Sequence, residues 1–174
     1  FEVKGVQYPT NDWSHVAVTF SYDEVAKAAG YESAAAMQEA FAAVQSPSSE
    51  TATTSMFWCC DSTEQKNLTN WNTQGLLGGF WHAPDGTVVP YGNDNSVEHK
   101  SVFFTQLITD ADNDEFTYWI GQYPNRCVGG TTYTTTIYLK NGENTVTFNF
   151  ELTVKKPLEL PEATNEISKL NVIG

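Results

Sequence analysis

Four carboxylates, Asp61, Glu64, Asp94 and Glu98, stand in polar stretches of this chain. Paired Asp or Glu side chains facing each other across a cleft at about 5–10 Å are the machinery of glycoside hydrolysis. Nothing in the spacing of these four commits any two of them to one site. Asp110, Asp112 and Asp114 are spaced like the opening of a calcium loop. Such a loop needs Gly at its sixth position and a bidentate Glu at its twelfth, and here Glu115 and Gly121 hold those places. A hairpin turn with solvated carboxylates is the expectation. His15, His82 and His99 are scattered, no C-x-x-C pair occurs, and there is no G-x-S-x-G elbow. No catalytic residue, metal site or cofactor is assigned, and the segment is expected not to be an enzyme.

The thiols add little chemistry. Cys59 and Cys60 are neighbours, so on a strand they point to opposite faces and cannot share a partner. Buried thiols packing as small hydrophobes are favoured. A bridge from Cys127 to Cys59 or to Cys60 is the alternative.

The aromatic residues say more. Phe fills cores, whereas Trp beside Asn, Asp, Thr and Gly in loops suits sugar recognition. A pyranose offers an apolar C–H face to an indole and hydroxyls that need paired donors and acceptors. Asn70-Trp71-Asn72 and the run Tyr91, Gly92, Asn93, Asp94, Asn95 have this mixed character, and Trp119 shares it across from its hairpin turn. The candidate carbohydrate-binding residues are therefore Trp71, Asn72, Tyr91, Asp94 and Trp119, with Trp71 leading. Trp81-His82 is a weaker candidate. Trp58, within the apolar run 56–60, is assigned to the core.

Charge narrows the partners. Lys and Arg total 9 against 21 Asp and Glu, a formal net charge of -12. Such a surface repels phosphate backbones and anionic lipid heads, so nucleic acid and peripheral membrane binding are disfavoured, and no direct membrane insertion is expected. No apolar run is long enough to span a bilayer. The abrupt start at Phe1 reads as a mature or excised segment of an exported protein. Its expected location is the periplasm or the outer cell surface, with any lipid anchor outside the segment.

The elements that must position these residues are mostly strands. In residues 145–154, Val146, Phe148, Phe150, Leu152 and Val154 alternate with Thr145, Thr147, Asn149, Glu151 and Thr153. That period of two commits Phe148 and Phe150 to a core. Asn141-Gly142 before it predicts a type I′ hairpin with those two residues at its centre. Two more hairpins are predicted, turning at Asp85-Gly86 and at 110–114. The run 15–20 reads as a strand, after which the period becomes helical. Ser21 with Glu24 forms a capping box, Tyr22, Val25, Ala26 and Ala29 share one face, and Gly30 suits the C′ position. Ser33 caps a second helix with Ala34, Met37, Phe41 and Val44 as its stripe, expected to dock on a sheet. Residues 61–74 read as a polar loop.

Three segments carry a resemblance. The run from Phe20 through Ser21, Tyr22, Asp23 and Glu24 to Gly30-Tyr31 is the first. Gly79-Phe80-Trp81 followed by Asp85-Gly86, and Ile120-Gly121-Gln122-Tyr123-Pro124, are the others. Together they resemble an uncharacterised domain of exported surface proteins in gut Bacteroidetes. The resemblance implies an accessory module of a glycan-utilisation protein, and it carries over no functional residue.

The expected fold is mainly β (α+β): an antiparallel β-sandwich or open barrel with a two-helix insertion near the N-terminus. One domain is expected over residues 1–156 with the αα unit at 21–45, and a linker or the start of a further domain at 157–174. The expected function is a non-catalytic, carbohydrate-binding accessory module. Its partners would be a polysaccharide or oligosaccharide and neighbouring domains of a longer chain, with the segment itself a monomer. The alternative is a structural or interaction domain that spaces its neighbours without a ligand.

Overall fold

A computed structural model describes residues 1–44, 55–61, 64–68, 78–91 and 100–158. The described residues form ten strands and two helices. In chain order these are β1 (Glu2–Gln7), β2 (Ser14–Ser21), α1 (Tyr22–Ala28), α2 (Ala34–Val44), β3 (Phe57–Asp61), β4 (Glu64–Asn67), β5 (Phe80–His82), β6 (Val88–Pro90), β7 (Phe103–Asp110), β8 (Glu115–Gln122), β9 (Thr131–Asn141) and β10 (Asn144–Val154). They pair into two sheets, β1-β10-β9-β3-β4 and β2-β8-β7-β5-β6. The sheets face each other as a sandwich and do not close into a barrel. Every pairing is antiparallel except β1 with β10, which run parallel in a register from Glu2↔Asn149 to Gln7↔Val154.

The core follows the alternation. Val146, Phe148, Phe150, Leu152 and Val154 are all buried. Phe148 stacks on Phe116 of the opposite sheet at 5.5 Å and meets Tyr118 edge-on at 4.9 Å. Truncating such a ring to Ala costs about 3–5 kcal/mol in a core of this kind.

The helices close one end of the sandwich. Ser21 accepts the Glu24 N–H at α1's start. At its end Tyr31 N–H reaches the Ala26 carbonyl and Gly30 N–H the Lys27 carbonyl, the paired bonds of a Schellman motif. Ser33 Oγ accepts the Ala36 N–H to start α2. Met37 and Phe41 are buried, and Phe41 sits against Phe57 of one sheet and Phe116 of the other. The stripe thus plugs the gap between the sheets rather than lying on one face.

Three details depart from the sequence reading. The β9–β10 loop consists of Gly142 and Glu143, one residue later than expected. Only Gly142 (φ 58) has positive φ in that loop, which is the sign pattern of type II′ rather than type I′. Trp58 is not core: Phe57 and Cys59 take the inward positions of β3, and Trp58 between them lies outward under the Lys140 ammonium at 4.5 Å. Within the stretch read as a polar loop, Glu64–Asn67 pairs with β3 as a strand. Asn67 Nδ2 donates to the Ser55 and Phe57 carbonyls, which ties it down despite its place in a glycosylation sequon.

Candidate aromatic binding cleft

On the strands of the second sheet one set of side chains faces the core, among them Val16, Tyr118, Ile120, Phe103, Phe80 and His82. The other set should face water. Cross-strand registry brings His15, Gly121, Phe104, Trp81 and Val89 into a single row across all five strands of that outer face. Ala17, Trp119 and Gln106 form the next row. Trp81, Tyr91 and Phe104 on that face are buried and form a second small core, with Val89, Trp119 and Tyr123 packed against it.

The rings pack into a cleft of about 240 Å³ lined by Trp13, His15, Trp81, Tyr91, Phe104, Gln106 and Trp119. Trp13 overhangs it from the segment before β2, 51% exposed. Its ring meets Trp81 at 5.9 Å, Phe104 at 5.8 Å and Tyr123 at 4.8 Å. Trp81 also packs against Tyr91 at 4.2 Å. The imidazole of His15 stacks on Trp119 at 3.8 Å, with the planes 14° apart.

Two glycines make the packing feasible. A Cβ at Gly79 would run into the Tyr91 ring, and a Cβ at Gly121 would lie 2.6 Å from Phe104 Cζ. Both backbones carry an aromatic ring laid directly over them. They belong to the segments Gly79-Phe80-Trp81 and Ile120-Gly121-Gln122-Tyr123, so two of the three segments that carry the resemblance contribute to this cleft.

Its electrostatics are neutral. Among the described residues no Asp, Glu, Lys or Arg lines it. Desolvation holds the His15 pKa below the ordinary imidazole value, so the ring is uncharged at pH 7. The only arginine stacks on Tyr123 at 4.1 Å and donates to the Ser101 carbonyl at 3.0 Å, outside the lining. Among the described residues neither the His15 imidazole nor the Gln106 amide makes a hydrogen bond, so both have polar atoms to offer a ligand.

Of the residues proposed from sequence, Tyr91, Trp119 and the weaker candidate Trp81 come together here, whereas His82 faces the core. Tyr91 is 2% exposed and walls the cleft instead of presenting an open stacking face. Trp71, Asn72 and Asp94 lie outside the described residues, as does Glu98 and as do the side chains of Asp61 and Glu64. Sequence reasoning missed Trp13, His15, Phe104 and Gln106. The signal was available in 118–120: Tyr-Trp-Ile breaks the alternation of β8 by placing an indole where a polar residue belongs.

The other chemically suggestive groups are used structurally. Asp110 accepts from Asn113 N–H and Nδ2, and Asp114 accepts from Asp23 N–H and from the Ser21 hydroxyl. No group of three His, Cys, Asp or Glu suited to a metal occurs among the described residues. Cys59 is buried and Cys60 exposed, and the half-buried Cys127 donates to the Val102 carbonyl, with burial pushing its thiol pKa up to about 12.

A family model described as a domain of unknown function, DUF4859, matches residues 12–147. The chain belongs to the DUF4859 family. No curated protein and no solved structure matches it. The matched span contains all three resembling segments and every residue lining the cleft of this DUF4859 domain.

Proposed function

We propose that this DUF4859 domain is a non-catalytic carbohydrate-binding module of an exported surface protein, working beside other domains in glycan utilisation. The observation that supports it best is the cleft on the outer sheet face, where Trp119 and the exposed Trp13 stand with the Gln106 amide and the His15 imidazole, and Trp81 is buried in the wall. Indoles stack on the C–H face of a sugar ring, and an amide and an imidazole suit its hydroxyls. Glycan-array screening followed by calorimetry tests this reading. Stacking on one indole is worth on the order of 1–3 kcal/mol by analogy with other ring contacts. Trp119→Ala should therefore weaken binding ~5- to 150-fold, at 1.4 kcal/mol per decade. Unchanged affinity in that variant would remove the cleft from the account.

A second role rests on a different surface. Val6, Tyr8, Val128 and Leu158 are exposed apolar residues near the end of β10. Lys155 N–H bonds the Gln7 carbonyl there and Pro157 lies against Gly129. This surface suits contact with a neighbouring domain, the interaction role. A fragment carrying that neighbour should melt higher than the segment alone if the contact forms.

A further inference from the structure

Resting on the carbohydrate reading, we infer that the cleft selects uncharged saccharides, one or two rings long, and rejects uronic and sulfated sugars, with Gln106 as the specificity-determining residue. The size follows from the volume. About 240 Å³ is smaller than the clefts of ~300–1,000 Å³ that hold drug-sized ligands.

The charge preference follows from what a carboxylate or sulfate would meet. It would leave water for a wall of Trp13, Trp81, Tyr91, Phe104 and Trp119 with no cation among the described lining residues. A buried charge without a partner is strongly disfavoured. A carboxylate beside Trp13 raises the barrier. Asp12 accepts the Trp13 N–H at 2.8 Å and so holds a negative charge beside the overhanging indole. The net charge of -12 adds a weaker, salt-screened repulsion. His15 supplies no compensating charge at pH 7, because burial keeps it neutral.

Gln106 gives the preference its direction. It stands on β7 opposite Trp119, between Phe104 and Ile108 on the same face. Its amide both donates and accepts, matching a hydroxyl, which does the same. His15 covers one face of the Trp119 indole, so a sugar ring would stack on the other, with Gln106 on the adjacent strand opposite.

The test uses the whole chain and calorimetric titration at pH 7 with two sets of short oligosaccharides. One set is neutral and gluco-, manno- or galacto-configured; the other is oligogalacturonates and sulfated galactans. Binding of a neutral sugar with at least tenfold preference over its charged counterpart is expected. Gln106→Leu, which keeps shape but removes the amide, should lose about 3- to 10-fold for the neutral sugar. Charged sugars binding as tightly as neutral ones, and doing so less well in Trp119→Ala, would overturn the selectivity while leaving the carbohydrate reading intact. A neutral sugar bound equally by Gln106→Leu would remove the role of Gln106. Binding to neither set would overturn the carbohydrate reading itself.

Discussion

The His15 imidazole lies flat on the Trp119 indole, ring centres 3.8 Å apart, on the face of the sheet turned away from the core. The two residues sit on neighbouring strands one pair out of register, since His15 pairs with Gly121 and Trp119 with Ala17. The stack has two opposed effects on the proton. The indole face attracts an imidazolium, while removal from water disfavours it. Burial is the dominant cause, and His15 is held below 6.5. Its resonances in a pH titration by NMR should therefore show a midpoint below the ordinary value. In Trp119→Ala the midpoint should rise toward 6.5, because the shielding ring is gone. A fall in that variant would mean that ring attraction, not burial, controls the site.

Acid should destabilise the fold through His82. This side chain is buried, bonds Thr105 Oγ1 through Nε2 at 2.7 Å and stacks on Phe103 at 4.5 Å. Burial pushes its pKa down to about 3. In the unfolded chain the ring takes up a proton near pH 6.5, so falling pH favours unfolding from about 6.5 down to about 3. The slope is at most about 1.4 kcal/mol per pH unit. Urea midpoints between pH 6.5 and 4.5, above the carboxylate range, should fall in the wild type and fall less steeply in His82→Gln. Equal slopes would show that His82 is protonated in the fold.

Tyr118 offers the opposite kind of change. Its hydroxyl is buried beneath Phe148 and Phe150 and has no hydrogen-bond partner among the described residues. A buried hydroxyl without a partner costs about 1–3 kcal/mol. Tyr118→Phe removes the hydroxyl and leaves the ring, so the melting temperature should rise, by roughly 2–4 °C for each kcal/mol recovered. A drop would reveal a partner for that oxygen.

The turn at 110–114 should act as a helix cap and not as a cation site. Asp114, itself at φ 57, holds Asp23 N–H and the Ser21 hydroxyl, each at 2.8 Å. The backbone donor of Asp23 is the main reason its pKa lies below the usual carboxylate value, and the Ser21 hydroxyl adds to it. Asp114→Ala should lower the melting temperature by a few degrees, and Asp114→Asn by less, since the amide oxygen still accepts. Calcium should leave all three proteins unchanged. A calcium-dependent rise in the wild type alone would restore the cation site.

Local periodicity made much of the fold legible. Thr145 to Val154 announced its buried face, Ser21 its helix start, and Asp85-Gly86 its turn. The parallel seam of β1 on β10 was not readable, because Val3 and Phe150 meet only after the whole chain has folded. Trp58 was misread because a short apolar run looks buried on both faces even when one side faces out. The same limit hid most of the cleft. Trp119 and Tyr91 stand out by type, but His15, Phe104 and Trp81 become one row only through strand pairing. Residue composition near Trp71 drew attention instead, and Trp71 lies outside the described residues.

The most direct test is the behaviour of the indole N–H resonances as a glycan identified by array screening is titrated into the chain labelled with ¹⁵N. Five tryptophans give five separate reporters. Trp13, Trp81 and Trp119, which line the cleft, should shift with saturable dependence on ligand. Trp58, on the outer face of the other sheet beneath Lys140, should stay in place. Shifts confined to Trp58 or Trp71, with the three cleft indoles unmoved, would contradict the account.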